Sequence, residues 1–133
     1  MGSFSNIQRG LDTTLATLGG LPAVAWANVN YKPVLGTTYL RPSVLPAAST
    51  LMTLNEVRRN PGIYQVDIFT EAEKGLSAGL TLADSIKALF EAARRITSGS
   101  DTIFIKQISL GQGERQDPWN HIFVEINYEC YSL

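Results

Sequence analysis

Two side chains in this sequence have the chemistry of a nucleophile and its base, Cys130 and His121, and they are its one cysteine and its one histidine. A thiol becomes a catalyst only with a base within hydrogen-bond reach. Cys130 and His121 lie nine residues apart on one alternating run and would face opposite sides of a regular strand. Cys130 therefore reads as a small buried hydrophobe and His121 as a solvated residue near a strand end. Zinc asks for more Cys, His or carboxylate ligands than this pair supplies. Asp67, Glu71 and Glu73 carry oxygen ligands for a hard cation but do not follow the calcium-loop pattern.

Gly75-Leu-Ser-Ala-Gly79 precedes a helical pattern, a place where backbone N–H groups attract anions. It lacks the spacing of a dinucleotide turn and the Lys-Ser/Thr of a phosphate loop, so it reads as a connection with glycine-permitted dihedrals. Gly111-Gln-Gly113 is equally nonspecific. No catalytic residue, metal ligand or cofactor is assigned, and an enzyme is not expected.

Trp26, Tyr31, Tyr39, Tyr64, Trp119, Tyr128 and Tyr131 have faces that stack on nucleic-acid bases, but such platforms come with a basic groove. Eleven basic and twelve acidic residues are spread along the chain for a net charge of -1, so nucleic-acid recognition is not expected. The aromatic residues and Arg41 suit a protein interface, with a place in the core or at its rim as the alternative for each. No apolar run reaches the length of a membrane-spanning helix, and Asn6 stands where a myristoylation signal wants Ser or Thr. With one cysteine and no secretory apolar region, the chain is expected to fold in a reducing cytoplasm.

A length of 133 residues, 44% apolar and 17% charged, predicts one domain with one core, spanning 1–133. Ile7, Leu11, Leu15 and Leu18 fall on one helical stripe that ends at Gly19-Gly20, and Ser5 with Gln8 has the spacing of a capping box. Gly10 inside that helix costs about 1 kcal/mol relative to alanine, so packing must hold it. Prolines 22, 33, 42 and 46 divide Leu21 to Ala48 into short extended pieces, Val24–Trp26, Val29–Tyr31 and Tyr39–Leu45, expected as edge strands or ordered loops. Two readings stand for these pieces: a loop packed on its own domain, or an arm covered by an adjacent protomer.

Thr50 to Arg59 is read as a strand turning through Asn60-Pro61-Gly62 to pair with Ile63 to Thr70, with Arg58 and Arg59 solvated beside the turn. In the second of these strands Tyr64, Val66 and Ile68 face the core, and Gln65 and Asp67 face water. Thr81 with Asp84 is expected to cap a helix whose stripe is Leu82, Ile86, Leu89, Phe90, Ala93 and Ile96, and Ser98-Gly-Ser100 follows as a stop. Thr102 to Leu110 is β-rich, and Gly111 to Pro118 is read as a charged loop. The last strand puts Ile122, Val124, Ile126, Tyr128 and Cys130 on the core face. The predicted fold is α+β, a mainly antiparallel sheet of about four to six strands with two helices on one face.

The run GIYQVDIFTEAEKG, followed by LADSIKALF, resembles the middle of small tail-terminator-like proteins of tailed phages and prophages. Asn28, Tyr31-Lys-Pro33 and Tyr39-Leu-Arg-Pro-Ser-Val-Leu-Pro-Ala47 stand upstream in the matching order, so the resemblance covers roughly Asn28 to Phe90. It implies a structural protein of the virion tail, built in the host cytoplasm, that forms a six-fold ring on a finished tail tube. The ring would stop tube growth and present a surface to a head-completion or connector protein. Under that reading the protein interface would include Tyr39, Arg41, Arg58, Arg59, Glu71, Glu73, Lys74, Glu114, Arg115 and Asp117. The alternatives are another head–tail connector component, or a small-ligand-binding or hydrolytic α+β domain.

Overall fold

Leucine and isoleucine every third or fourth residue give the first helix one greasy stripe, and the chain folds to cover it. In a computed structural model, residues 3–26, 29–34, 36–48, 50–51, 58–72, 77–116 and 118–132 are described. Helix α1 runs Ser3–Ala16 and buries Ile7, Leu11 and Leu15 completely. Ser5 lies inside the helix, so the capping box expected with Gln8 does not form. Gly10 has a packing reason: a Cβ there would stand 2.8 Å from Ile103 Cδ1 and 3.1 Å from Ile96 Cγ2. Asn6 Nδ2 donates to Asp101 Oδ2 at 2.8 Å, and Tyr64 Oη to Asp12 Oδ1 at 2.5 Å, so polar groups as well as the stripe tie α1 to the sheet.

The strands are β1 (Ala23–Val24), β2 (Tyr39–Pro46), β3 (Thr50–Leu51), β4 (Arg58–Glu71), β5 (Arg95–Ser98), β6 (Asp101–Gln116) and β7 (Trp119–Ser132). They form one sheet in the order β1-β2-β4-β7-β6-β5, with β3 also on β4, and only the β1–β2 pair is parallel. The second helix, α2, runs Ser77–Ala93 and packs beside α1 on the same face. The fold is therefore α+β as expected, and the two-residue strands β1 and β3 bring the described strands to seven. The core lies between the helices and the face carrying Tyr64, Val66, Ile68, Val124, Ile126, Tyr128 and Cys130.

Several local expectations are corrected. Asn60-Pro61-Gly62 is no turn: it lies inside β4, which runs on through it as a partner of β7. Gly62 is required there because a Cβ would collide with the Tyr128 phenol and lie 2.9 Å from the Leu45 carbonyl oxygen. Pro61 is tolerated because its carbonyl accepts from the Ala47 N–H at 3.0 Å just where β2 ends, so the donor it lacks is not needed. The partners of Ile63 to Phe69 are β2 and β7; Thr50 and Leu51 pair with Arg59 and Arg58, and 52–57 lie outside the described residues.

Thr81 does not cap α2, which begins at Ser77 and takes Gly79 into its buried side, where a Cβ would come within 3.1 Å of Ile122 Cδ1. The glycine is thus a close-packing residue of the helix, while Gly75 and Leu76 lie outside the described residues. At the other end Arg94 takes a left-handed conformation, φ 35°, and the chain turns at once into β5, so Ile96 belongs to a strand. Ser98-Gly-Ser100 is a hairpin turn: Ser98 pairs with Asp101 and Gly99 has φ 60°. The charged segment from Gly111 is likewise strand through Gln116, which pairs with Trp119, with register shifts at Ile105/Gln107 and Gln112/Arg115.

Candidate assembly surface

The sheet face away from the helices is built by residues directly opposite one another on three strands. Tyr39 of β2 pairs with Phe69 of β4, and Phe69 with His121 of β7. Register alone therefore lines up three flat rings. Tyr39 and Phe69 stack at 4.7 Å between ring centres with 14° between planes, and Phe69 and His121 at 4.8 Å and 13°. Tyr31 leans on Tyr39 at 5.2 Å, Trp119 meets it edge-on at 5.3 Å, and Phe123 extends the row beyond His121 at 5.8 Å. Such cross-strand aromatic pairs contribute about 0.5–1.5 kcal/mol each beyond the area they bury.

One row further along, Arg41 opposes Asp67. The Asp67 side chain is only 5% exposed, contrary to the expectation that it faces water. It accepts from Gln65 Nε2 at 2.8 Å, His121 Nε2 at 2.7 Å and Arg41 Nε at 3.4 Å. An ionised carboxylate offers only acceptors, so the proton of His121 in this contact is on Nε2. The Arg41 side chain is 54% exposed, with its guanidinium carbon 5.0 Å from the centre of the Phe69 ring. Burial raises the Tyr39 hydroxyl above its ordinary pKa, with the Arg41 charge opposing the shift.

A second cluster sits at the other end of β4. Arg59 donates to Glu129 Oε1 through Nη2 at 2.6 Å and Nε at 2.9 Å, and Tyr131 Oη donates to Oε2 at 3.0 Å. The hydrogen bond from Arg59 is the main reason the Glu129 carboxyl lies below the usual range. Arg59 is thus ion-paired where the sequence reading left it solvated. Arg58 is exposed, as expected.

The expected interface residues consequently divide. Tyr39, Arg41 and Glu71 share one end, and the register of Glu71 with Trp119 and of Arg115 with Asn120 brings the β6–β7 tip, with Glu114 and Arg115, to that end. Arg58 and Arg59 lie toward the other end of β4, roughly 25–45 Å along the strand from the positions of Arg41, Tyr39 and Glu71 at about 3.3 Å per residue. Tyr39 is mostly buried, inside the aromatic row. Glu73, Lys74 and Asp117 lie outside the described residues. The sequence reading missed Asp67, Phe69, His121 and Glu129. The available signal was that Tyr39, Phe69 and His121 are all planar and each occupies the outward side of its strand.

Among the described residues no group of His, Cys, Asp and Glu is placed to hold a metal ion, and no helix is long and apolar enough to cross a membrane. Cys130 is buried on the core face, opposite to His121, and burial pushes its thiol up to about 11. What the geometry provides is a stiff, partly aromatic wall with an anchored cation on it.

A family model described as phage tail terminator protein matches residues 6–128. One solved structure, which carries no functional description, is 26% identical with a TM-score of 0.71, covering 96% of this chain and 92% of its own. A chain in the solved virion of a native gene transfer agent particle is 15% identical with a TM-score of 0.60, covering 97% of both chains, which is a likeness of fold. No curated protein matches.

Proposed function

The chain belongs to the phage tail terminator family and is a structural protein of a phage tail, and from that premise we propose that it assembles as a six-fold ring of identical subunits on a completed tail tube. The ring ends tube growth and gives the head-completion or connector protein a surface to join. The chain acts without catalysis or cofactor, as one domain over residues 1–133, assembled in the host cytoplasm and retained in the virion tail.

The observation that carries this reading is the exposed Arg41 guanidinium held between Asp67 and the Phe69 ring. Aromatic residues and arginine fixed in place before binding lose little freedom on association, which favours them as interface anchors. A ring closed by rotation joins two different patches of each subunit. We place one at Arg41 and Glu71, backed by the buried Tyr39 ring, and the other at Arg58 and Arg59. Glu73, Lys74, Glu114, Arg115 and Asp117 are assigned to the tube or head contact.

Multi-angle light scattering of the purified protein, alone and mixed with tail tubes, tests the ring. The expected result is a six-subunit mass or a tube-bound cap, and a protein that stays monomeric and free under both conditions would overturn it. Charge reversal at Glu114→Lys with Arg115→Glu should leave the melting temperature nearly unchanged and weaken capping in a salt-dependent way. Normal capping by that double variant would remove the β6–β7 tip from the contact.

A further inference from the structure

Strand β6 is longer than its outer neighbour. β5 covers only Asp101 to Phe104, and among the described residues no strand pairs with the outer side of β6 beyond that point. The direction of its backbone groups follows from one hydrogen bond. The Ile105 N–H donates to the Arg94 carbonyl at 2.8 Å, so Ile105, which pairs with Tyr128, points its N–H away from β7. Past the register shift Ile108 pairs with Ile126 and Leu110 with Val124, the same alternate positions of β7. The N–H and C=O of Ile108 and Leu110 therefore also point outward.

This edge borders a groove against α2. At one end it is lined by Ala83, Asp84, Lys87, Ile108 and Leu110, the last 49% exposed, and it continues into a cavity of about 250 Å³ lined by Lys87, Glu91, Arg94 and Lys106, whose ammonium lies 3.8 Å from Glu129. At one end Ala83, Ile108 and Leu110 stand beside Asp84, and at the other Lys87 and Arg94 outnumber Glu91. We propose that this open edge binds an extended segment of another polypeptide by strand addition, with groove-facing side chains that run from apolar beside Leu110 to acidic beside Lys87 and Arg94.

A second copy of this chain fits less well. At the opposite side of the sheet β1 covers only Tyr39 and Leu40 of β2; the Leu40 carbonyl points outward to the Ala25 N–H at 2.7 Å, so the backbone groups of Pro42, Val44 and Pro46 also point outward. Two of these three lack an N–H, which leaves an edge poor in donors. The described extended stretch 29–34 carries Lys32 and no acidic residue. The β6 edge is separate from the aromatic row, so its occupancy does not depend on ring formation.

The test uses the folded full chain and an acetylated peptide amide of sequence VTETET, followed by amide hydrogen exchange and NMR shifts. Millimolar peptide should slow exchange at the Ile108 and Leu110 amides. Replacing both glutamates of the peptide by lysine, or combining Lys87→Glu with Arg94→Glu in the protein, should weaken binding about tenfold or more. N-methylation of the peptide's alternate amides should abolish it. Unchanged exchange at both amides, or equal binding of the lysine peptide, would overturn the proposal. Protection that rises with protein concentration alone would assign the edge to a second copy and equally overturn it.

Discussion

His121 of β7 meets Asp67 of β4 with Nε2 2.7 Å from Oδ1, and this contact joins the aromatic row to the ion pair that holds Arg41. The ring lies flat on Phe69 while its N–H is fixed by a nearly buried carboxylate. Their joint effect is to tie β2, β4 and β7 together across the outer face.

Removing the carboxylate should therefore cost more than a surface substitution. Asp67→Ala leaves Gln65 and His121 with donors that are only partly exposed, a loss of about 1–3 kcal/mol. Chemical denaturation measures it, and a change under about 0.5 kcal/mol would mean the contact is not maintained in solution.

The reverse sign is expected at Tyr128. Its hydroxyl is buried and has no hydrogen-bond partner among the described residues, while its ring lies over Gly62. Tyr128→Phe removes an unsatisfied polar atom and should be neutral or stabilising by up to about 1 kcal/mol. Gly62→Ala should be destabilising, since a Cβ has no room beside the same ring. A destabilised Tyr128→Phe protein would show that the hydroxyl has a partner.

Cys130 gives the pH dependence. Burial raises its thiol to about 11, above the ordinary value of about 8.5. A raised folded-state pKa contributes stability that is complete below the unfolded value and is lost as pH rises through the folded one. Stability should thus decline from about pH 8.5 toward 11, and Cys130→Ala, at a cost of about 1 kcal/mol or more, should flatten that decline. In the native state the thiol should react with a disulfide reagent only as fast as the protein opens. Immediate reaction would contradict its burial.

The strand from Ile122 to Cys130 was legible because, Phe123 apart, core-facing residues alternate with polar ones, and the stripe of α1 because Ile7, Leu11 and Leu15 are fully buried. Asp67 was not. Periodicity tells which way a side chain points but not what neighbouring strands put beside it, and Arg41 and His121 come from elsewhere in the chain. Asn60-Pro61-Gly62 misled for a similar reason: its local turn signal is strong, and the Tyr128 ring that demands the glycine is distant in sequence. β5 stayed hidden because Ile96 continues the helical spacing of Phe90 and Ala93, while the left-handed Arg94 between helix and strand is not a glycine.

Tube capping by Arg41→Glu reads out whether the face carrying Arg41 closes the ring on the tube. The reversed charge stands beside the nearly buried Asp67 carboxylate and should lower the melting temperature by several degrees while the protein still folds. Tail tubes assembled with that variant and measured by electron microscopy should lack caps and exceed the normal length. A folded Arg41→Glu protein that caps tubes at normal length, at both low and moderate salt, would mean that this face does not close the ring.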